Sequence, residues 1–73
     1  MKRDRFQMDF ARNVRQLRRA KGLSQEALAT AAKLHPTHIS LIETGKRLVL
    51  LTTIKQLAIG LHVQPSDLMP PIR

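Results

Sequence analysis

Apolar positions recur along the chain with the period of an α-helix, and residues that start or stop helices bound each recurrence. Phe6, Phe10, Val14 and Leu17 lie at helical spacing and predict a first helix reaching about Lys21, with these four as its core-facing stripe. Asp4, three residues before Gln7, reads as a capping box at its start. A second helix runs from a Ser24 cap to Ala32, with Leu28, Ala29 and Ala32 sharing one face. A third begins at His35-Pro36 and stops at Gly45. Proline suits the first helical position because its missing N–H would be unpaired there, and glycine past the end accommodates a left-handed closing residue. The fourth, from about Thr52 to Leu61, turns Ile54, Leu57, Ala58 and Leu61 inward, and Gly60 weakens its last turn by about 0.5–1 kcal/mol relative to alanine. A short fifth helix near Pro65-Ser66-Asp67 holds Leu68 and Met69, and Pro70-Pro71 ends regular structure ahead of an Ile72-Arg73 tail. The fold expected is all-α, a five-helix domain spanning residues 1–73 with its core over about 6–69, after a charged lead-in, MKRDR.

The third helix shows an unusual outer face. Stepping about 100° per residue puts Ile39 and Ile42 on the buried side. Thr37, Ser40, Leu41 and Thr44 then fall opposite, with His38 on one flank and Glu43 near the core boundary. A solvated face would ordinarily carry Lys, Glu or Gln, whereas this one is small, uncharged and able to donate, accept or make apolar contact. Such a surface suits the base edges of a DNA major groove, which is wide enough to admit a helix. Glu43 needs a partner, because an unpaired carboxylate at the buried edge would be costly.

Composition narrows the function classes. The 73 residues carry 13 Lys plus Arg against 5 Asp plus Glu, a formal net charge of +8, which favours an anionic partner such as nucleic acid or a membrane surface. No apolar run approaches the roughly 20 residues of a membrane span, and MKRDRFQMDF lacks the apolar core of a secretory signal, so a cytoplasmic protein is expected. A chain this small buries only about 60% of its unfolded surface. With no cysteines for disulfides or thiolate metal sites, oligomerisation is the remaining source of extra stability. His35 and His38 lack a third ligand, and no Ser/His/Asp set, phosphate-cradling glycine loop or acid pair can be assembled, so neither an enzyme nor a metal or other cofactor is expected.

The segments L-S-Q-E-x-L-A, Leu23 to Ala29, and L-H-x-T-x-I-S-x-I-E-x-G-x-R, Leu34 to Arg47, resemble the helix-turn-helix of lambda-repressor-like (Cro/cI, XRE-type) transcription regulators. Within that superfamily the wording from Leu34 to Arg47 is most similar to the controller proteins of restriction–modification systems. The resemblance covers roughly Phe10 to Leu68 and implies a DNA-binding domain whose recognition helix spans about 36–44. It implies a phosphate contact by Gln25, contacts to bases or phosphates by Thr37, His38, Ser40 and Arg47, and further contacts by Leu41 and Thr44. It also implies an ion pair of Arg18 with Glu43. Arg12, Arg15, Arg18, Arg19 and Lys21 read singly as a solvated face; beside this motif, one or two of them are expected to touch the DNA backbone. Three positions depart from the family. Pro36 stands where relatives often read a base with Gln or Arg, and Lys33 and His62 stand where they often have glycine, at a cost on the order of 1 kcal/mol each if those sites keep positive φ.

Leu48-Val49-Leu50-Leu51 replaces a stretch that is usually polar in the family, and at least one of Leu48, Val49 and Leu50 is expected to be exposed on a lone subunit. With Val63, Leu68 and Met69, this run makes the C-terminal half apolar on more sides than one core requires. The expected use is a homodimer interface through Leu48, Val49, Leu50, Val63 and Met69, presenting two recognition helices to an inverted-repeat operator. The competing reading is a protein-interaction module, such as an antitoxin-like subunit capturing a partner through residues 48–51. No small-molecule effector is expected.

Overall fold

The computed structural model describes residues 4–72; residues 1–3 of the charged lead-in and Arg73 of the tail lie outside the described residues. Five helices follow in order: α1 (Arg5–Ala20), α2 (Gln25–Ala32), α3 (Pro36–Glu43), α4 (Leu51–Leu61) and α5 (Pro65–Leu68). The architecture is all-α, as the periodicity predicts. Phe10 and Val14 of α1, Leu28, Ala29 and Ala32 of α2, Ile39 and Ile42 of α3, Leu57, Ala58 and Leu61 of α4, and Leu68 of α5 form one core. Leu17, Leu23, Leu34, Val49, Ile54 and Val63 pack against it while remaining partly exposed.

Each helix of the central motif begins with a side chain that satisfies an otherwise unpaired N–H. Ser24 accepts from the N–H of Ala27 at 2.9 Å at the start of α2. At the start of α3 the cap is His35, whose Nδ1 accepts from Thr37 at 3.1 Å, with Pro36 in the first helical position. Asp4 caps α1 by accepting from Phe6 at 2.7 Å, but the expected reciprocal bond, from the Asp4 N–H to the Gln7 side chain, does not form. Gln7 instead donates to the carbonyl of Gly45 at 2.9 Å, tying the first turn of α1 to the residue that closes α3. Phe6 also departs from expectation. It is 38% exposed, at the rim of a groove it shares with Leu48, Val49 and Met69, because the first turn of α1 overhangs the core. Leu68, counted above with the apolar excess, is fully buried.

Close approach between helices depends on glycine in two places. Gly45 takes φ +71° and lies under the thioether of Met8, which occupies the space a Cβ would need. Gly60 lies on the buried side of α4, where an added Cβ would stand 3.0 Å from both the Cβ and the backbone N of Ala32. The glycine that local propensity marks as a weak point therefore lets α4 seat against α2. Lys33 and His62 close α2 and α4 in the left-handed conformation, at φ 58° and 57°.

Two substitutions separate local preference from packing. Lys33→Gly removes the left-handed penalty and should stabilise the protein by about 1 kcal/mol. Gly60→Ala improves helix propensity yet forces α4 off α2, and should destabilise by about 1–2 kcal/mol. Urea unfolding midpoints at unchanged m-value measure both, and a more stable Gly60→Ala variant would contradict the packing argument.

Candidate nucleic-acid interface

The surface around α3 is fixed from behind by one buried ion pair. Arg18 and Glu43 are both buried, on α1 and at the last residue of α3. The Arg18 guanidinium donates through Nε to Glu43 Oε2 at 2.6 Å and through Nη2 to Oε1 at 3.0 Å, a bidentate arrangement. Its Nη1 donates to the carbonyl of Leu23 at 2.8 Å, in the turn before α2. Gln25, the first residue of α2, donates from Nε2 to Glu43 Oε1 at 3.2 Å. The hydrogen bonds that Arg18 donates to Glu43 raise its pKa above the ordinary value, against the opposing effect of burial and with help from the Glu43 charge. Three helices thus converge on one ion pair, and the α1–α2 turn is bonded to its guanidinium.

In front of that pair, α3 presents the face expected from its periodicity. Ile39 and Ile42 are buried, Thr37 and Thr44 exposed, and His38, Ser40 and Leu41 half-buried. Thr44 donates its hydroxyl to the carbonyls of Ser40 and Leu41, at 2.9 and 3.2 Å, so outward it offers an acceptor lone pair and a methyl group. Burial lowers the pKa of His38 below the ordinary 6.5, and the charge of Arg47 lowers it further. Both effects favour the uncharged ring, which presents one donor and one acceptor. Arg47 is exposed just beyond Gly45. Gln25 is half-buried, with its amide engaged by Glu43 rather than fully solvated.

The helix-turn-helix geometry, with these caps, this ion pair and this outward face, agrees with the comparisons to known proteins. A family model described as Helix-turn-helix matches residues 14–68. The control protein C.BamHI of Bacillus amyloliquefaciens is 48% identical over 61 residues, covering 82% of this chain and 75% of that protein. The control protein C.MunI of a Mycoplasma species is 38% identical over 64 residues, 86% of each chain. The crystal structure of the restriction–modification controller protein C.AhdI from Aeromonas hydrophila superposes with a TM-score of 0.83 at 40% identity, covering 85% of this chain and 94% of that one. The chain belongs to the XRE-type helix-turn-helix family of restriction–modification control proteins. Its relatives are regulators, and the protein is a regulator rather than an enzyme.

For this control-family chain, the remaining predicted residues lie on a second surface. Leu48 and Leu50 are 77% and 69% exposed, and Met69 is also exposed, whereas Val49 and Val63 are half-buried and pack partly on the core. Leu51, the first residue of α4, is 85% exposed, and Phe6 lines a groove with Leu48, Val49 and Met69. The expected dimer residues do not include Phe6 or Leu51, although Leu51 belongs to the apolar 48–51 run. Leu51 sits one residue ahead of the helix start expected at Thr52, where α4 has not yet turned inward, and the helical period of Phe6 with Phe10 concealed its place beyond the edge of the core. Among the described residues no helix is long and apolar enough to cross a membrane.

Glu43→Gln leaves Arg18 buried without a countercharge and should cost about 3 kcal/mol of stability; an unchanged unfolding midpoint would show that the pair does not hold the motif together. The titration of His38, followed by its ring proton resonances, should have a midpoint below 6.5 that rises in Arg47→Ala. The depressed pKa means that the stability His38 contributes is present above its unfolded pKa and lost as pH falls through the folded one. A wild-type midpoint above 6.5 would reverse that sign.

Proposed function

We propose that the protein binds double-stranded DNA sequence-specifically and regulates transcription in the cytoplasm, as a homodimer on an inverted-repeat operator, with residues 1–73 working as one DNA-binding domain. The observation that carries this reading is the outward face of α3, uncharged and anchored from behind by Arg18 and Glu43. Thr37, His38, Ser40 and Leu41 read base edges, Thr44 adds an acceptor and a methyl, and Arg47 and Gln25 engage phosphates. Pro36 has neither donor nor reach, so Leu41 against a thymine methyl, His38 and DNA shape carry more of the specificity. The printed descriptions of the relatives, as control and restriction–modification controller proteins, support the regulatory role.

The exposed Leu48, Leu50 and Met69, with Val49 and Val63 behind them, supply the twofold interface that places two recognition helices about 34 Å apart. The same exposed leucines favour a second reading, capture of a different polypeptide through residues 48–51.

Selection of bound duplexes from a random pool, with the oligomeric state measured in parallel, tests both. An enriched inverted repeat with half-sites about one helical turn apart is expected. Thr37→Ala and Ser40→Ala should each weaken operator binding by about 1–2 kcal/mol while sparing random DNA, and Arg47→Ala should weaken both. Equal losses on operator and random DNA for all three would remove α3 as the reading element. Leu50→Asp should give a folded monomer; loss of a complex with a second protein instead would favour the capture reading.

A further inference from the structure

The two helices of the motif carry none of the charge that attracts DNA. α2 and α3 contain no Lys or Arg, and they contain Glu26 and Glu43. Sequence-independent affinity for DNA comes from cations placed against phosphates. These cations must therefore lie beside the motif, and α1 is where they are concentrated, with Arg5, Arg12, Arg15, Arg18 and Arg19 in one helix. Arg18 is committed to Glu43.

Arg12 and Arg15 meet the end of the recognition helix. They line an open cleft of about 400 Å³ between α1 and α3, together with Met8, Glu43 and Thr44. Arg12 is held in place by Asp9, to which its Nη2 donates at 2.7 Å, while its side chain stays half-exposed. Arg15 is exposed, one helical turn further along. The Glu43 carboxylate in the cleft wall is neutralised by both bonds from Arg18, so it does not cancel the two outer guanidinium charges. Of the ionised groups in and behind the cleft, Arg12, Arg15 and Arg18 outnumber Asp9 and Glu43, and the excess positive charge lies on the solvent side. Thr44, at the C-terminal end of the reading face, forms part of the same wall.

Resting on the DNA-binding reading above, we infer that this cleft seats a phosphodiester group of the DNA backbone, gripped by Arg12 and Arg15 where the strand passes the C-terminal end of α3. The grip extends the footprint beyond the helix-turn-helix onto α1. It acts on position and affinity and carries no base information, because guanidinium groups meeting phosphate oxygens make the same contact at any sequence.

The test is titration of the full chain with a scrambled-sequence duplex, and with any duplex enriched from the random pool, over a series of salt concentrations. Arg15→Ala should weaken binding to both duplexes by the same factor, about fivefold or more, and reduce the slope of log affinity against log salt by about 0.9. Arg12→Ala should do the same, with thermal melting used to confirm that loss of the Arg12–Asp9 bond leaves the chain folded. Lys55→Ala removes the same charge from the exposed side of α4 and should leave the slope unchanged. A wild-type slope in Arg15→Ala, or an equal fall in Lys55→Ala, would overturn the cleft as a phosphate site. Failure of the unaltered protein to bind either duplex would overturn the DNA-binding reading itself.

Discussion

The buried contact between the Arg18 guanidinium and the Glu43 carboxylate sets the geometry on which the rest of the motif depends. Taking both charges out of water is costly, and the cost is offset only because nearly every hydrogen-bonding position is used: two bonds between the partners, one from Arg18 to the Leu23 carbonyl, one from Gln25 to Glu43. A guanidinium suits this place better than an ammonium would, since its planar fork grips the carboxylate with two donors and still reaches a third acceptor. The consequence is mechanical. α1, the start of α2 and the end of α3 cannot shift independently without leaving a charge unpaired in the core.

A second set of contacts fixes the chain as it leaves α3. Gly45 adopts a left-handed conformation beneath Met8, and its carbonyl is held by Gln7, so the first turn of α1 clamps the point where the recognition helix stops. From there the backbone runs without regular structure until α4 starts at Leu51. That path carries Leu48 and Leu50 outward with Leu51, while Val49 turns partly in. Gly60 meanwhile lets α4 sit close against Ala32 of α2.

Around α3, chemistry is divided by position. The N-terminal end is closed to anions: Pro36 has no N–H, Thr37 donates to the His35 ring, and His38 and Ile39 donate to the His35 carbonyl. The middle of the helix is uncharged and half-exposed, and positive charge gathers at its far end, on Arg47 and on the α1 arginines beside Thr44. Separating neutral groups from cations in this way suits the division between reading bases and holding phosphates that the proposed function requires.

The sequence by itself determined the elements, because helix periodicity and caps are local physics. Five helices, the inward residues Ile39 and Ile42, the hard start at Pro36, the stop at Gly45 and the outward face from Thr37 to Thr44 all follow from spacing along one helix. Need for a partner at Glu43 was legible too, since a carboxylate at a buried edge must be neutralised. Tertiary structure alone decided the rest. Gln7 looks like half of a capping box and instead bonds a carbonyl 38 residues away, Gly60 looks like a weak point and is a contact surface, and Phe6 looks like core and lies at a rim. In each case the deciding neighbour comes from another part of the chain. Periodicity records which side of an element faces inward, but not how far the facing helix extends or how closely it approaches.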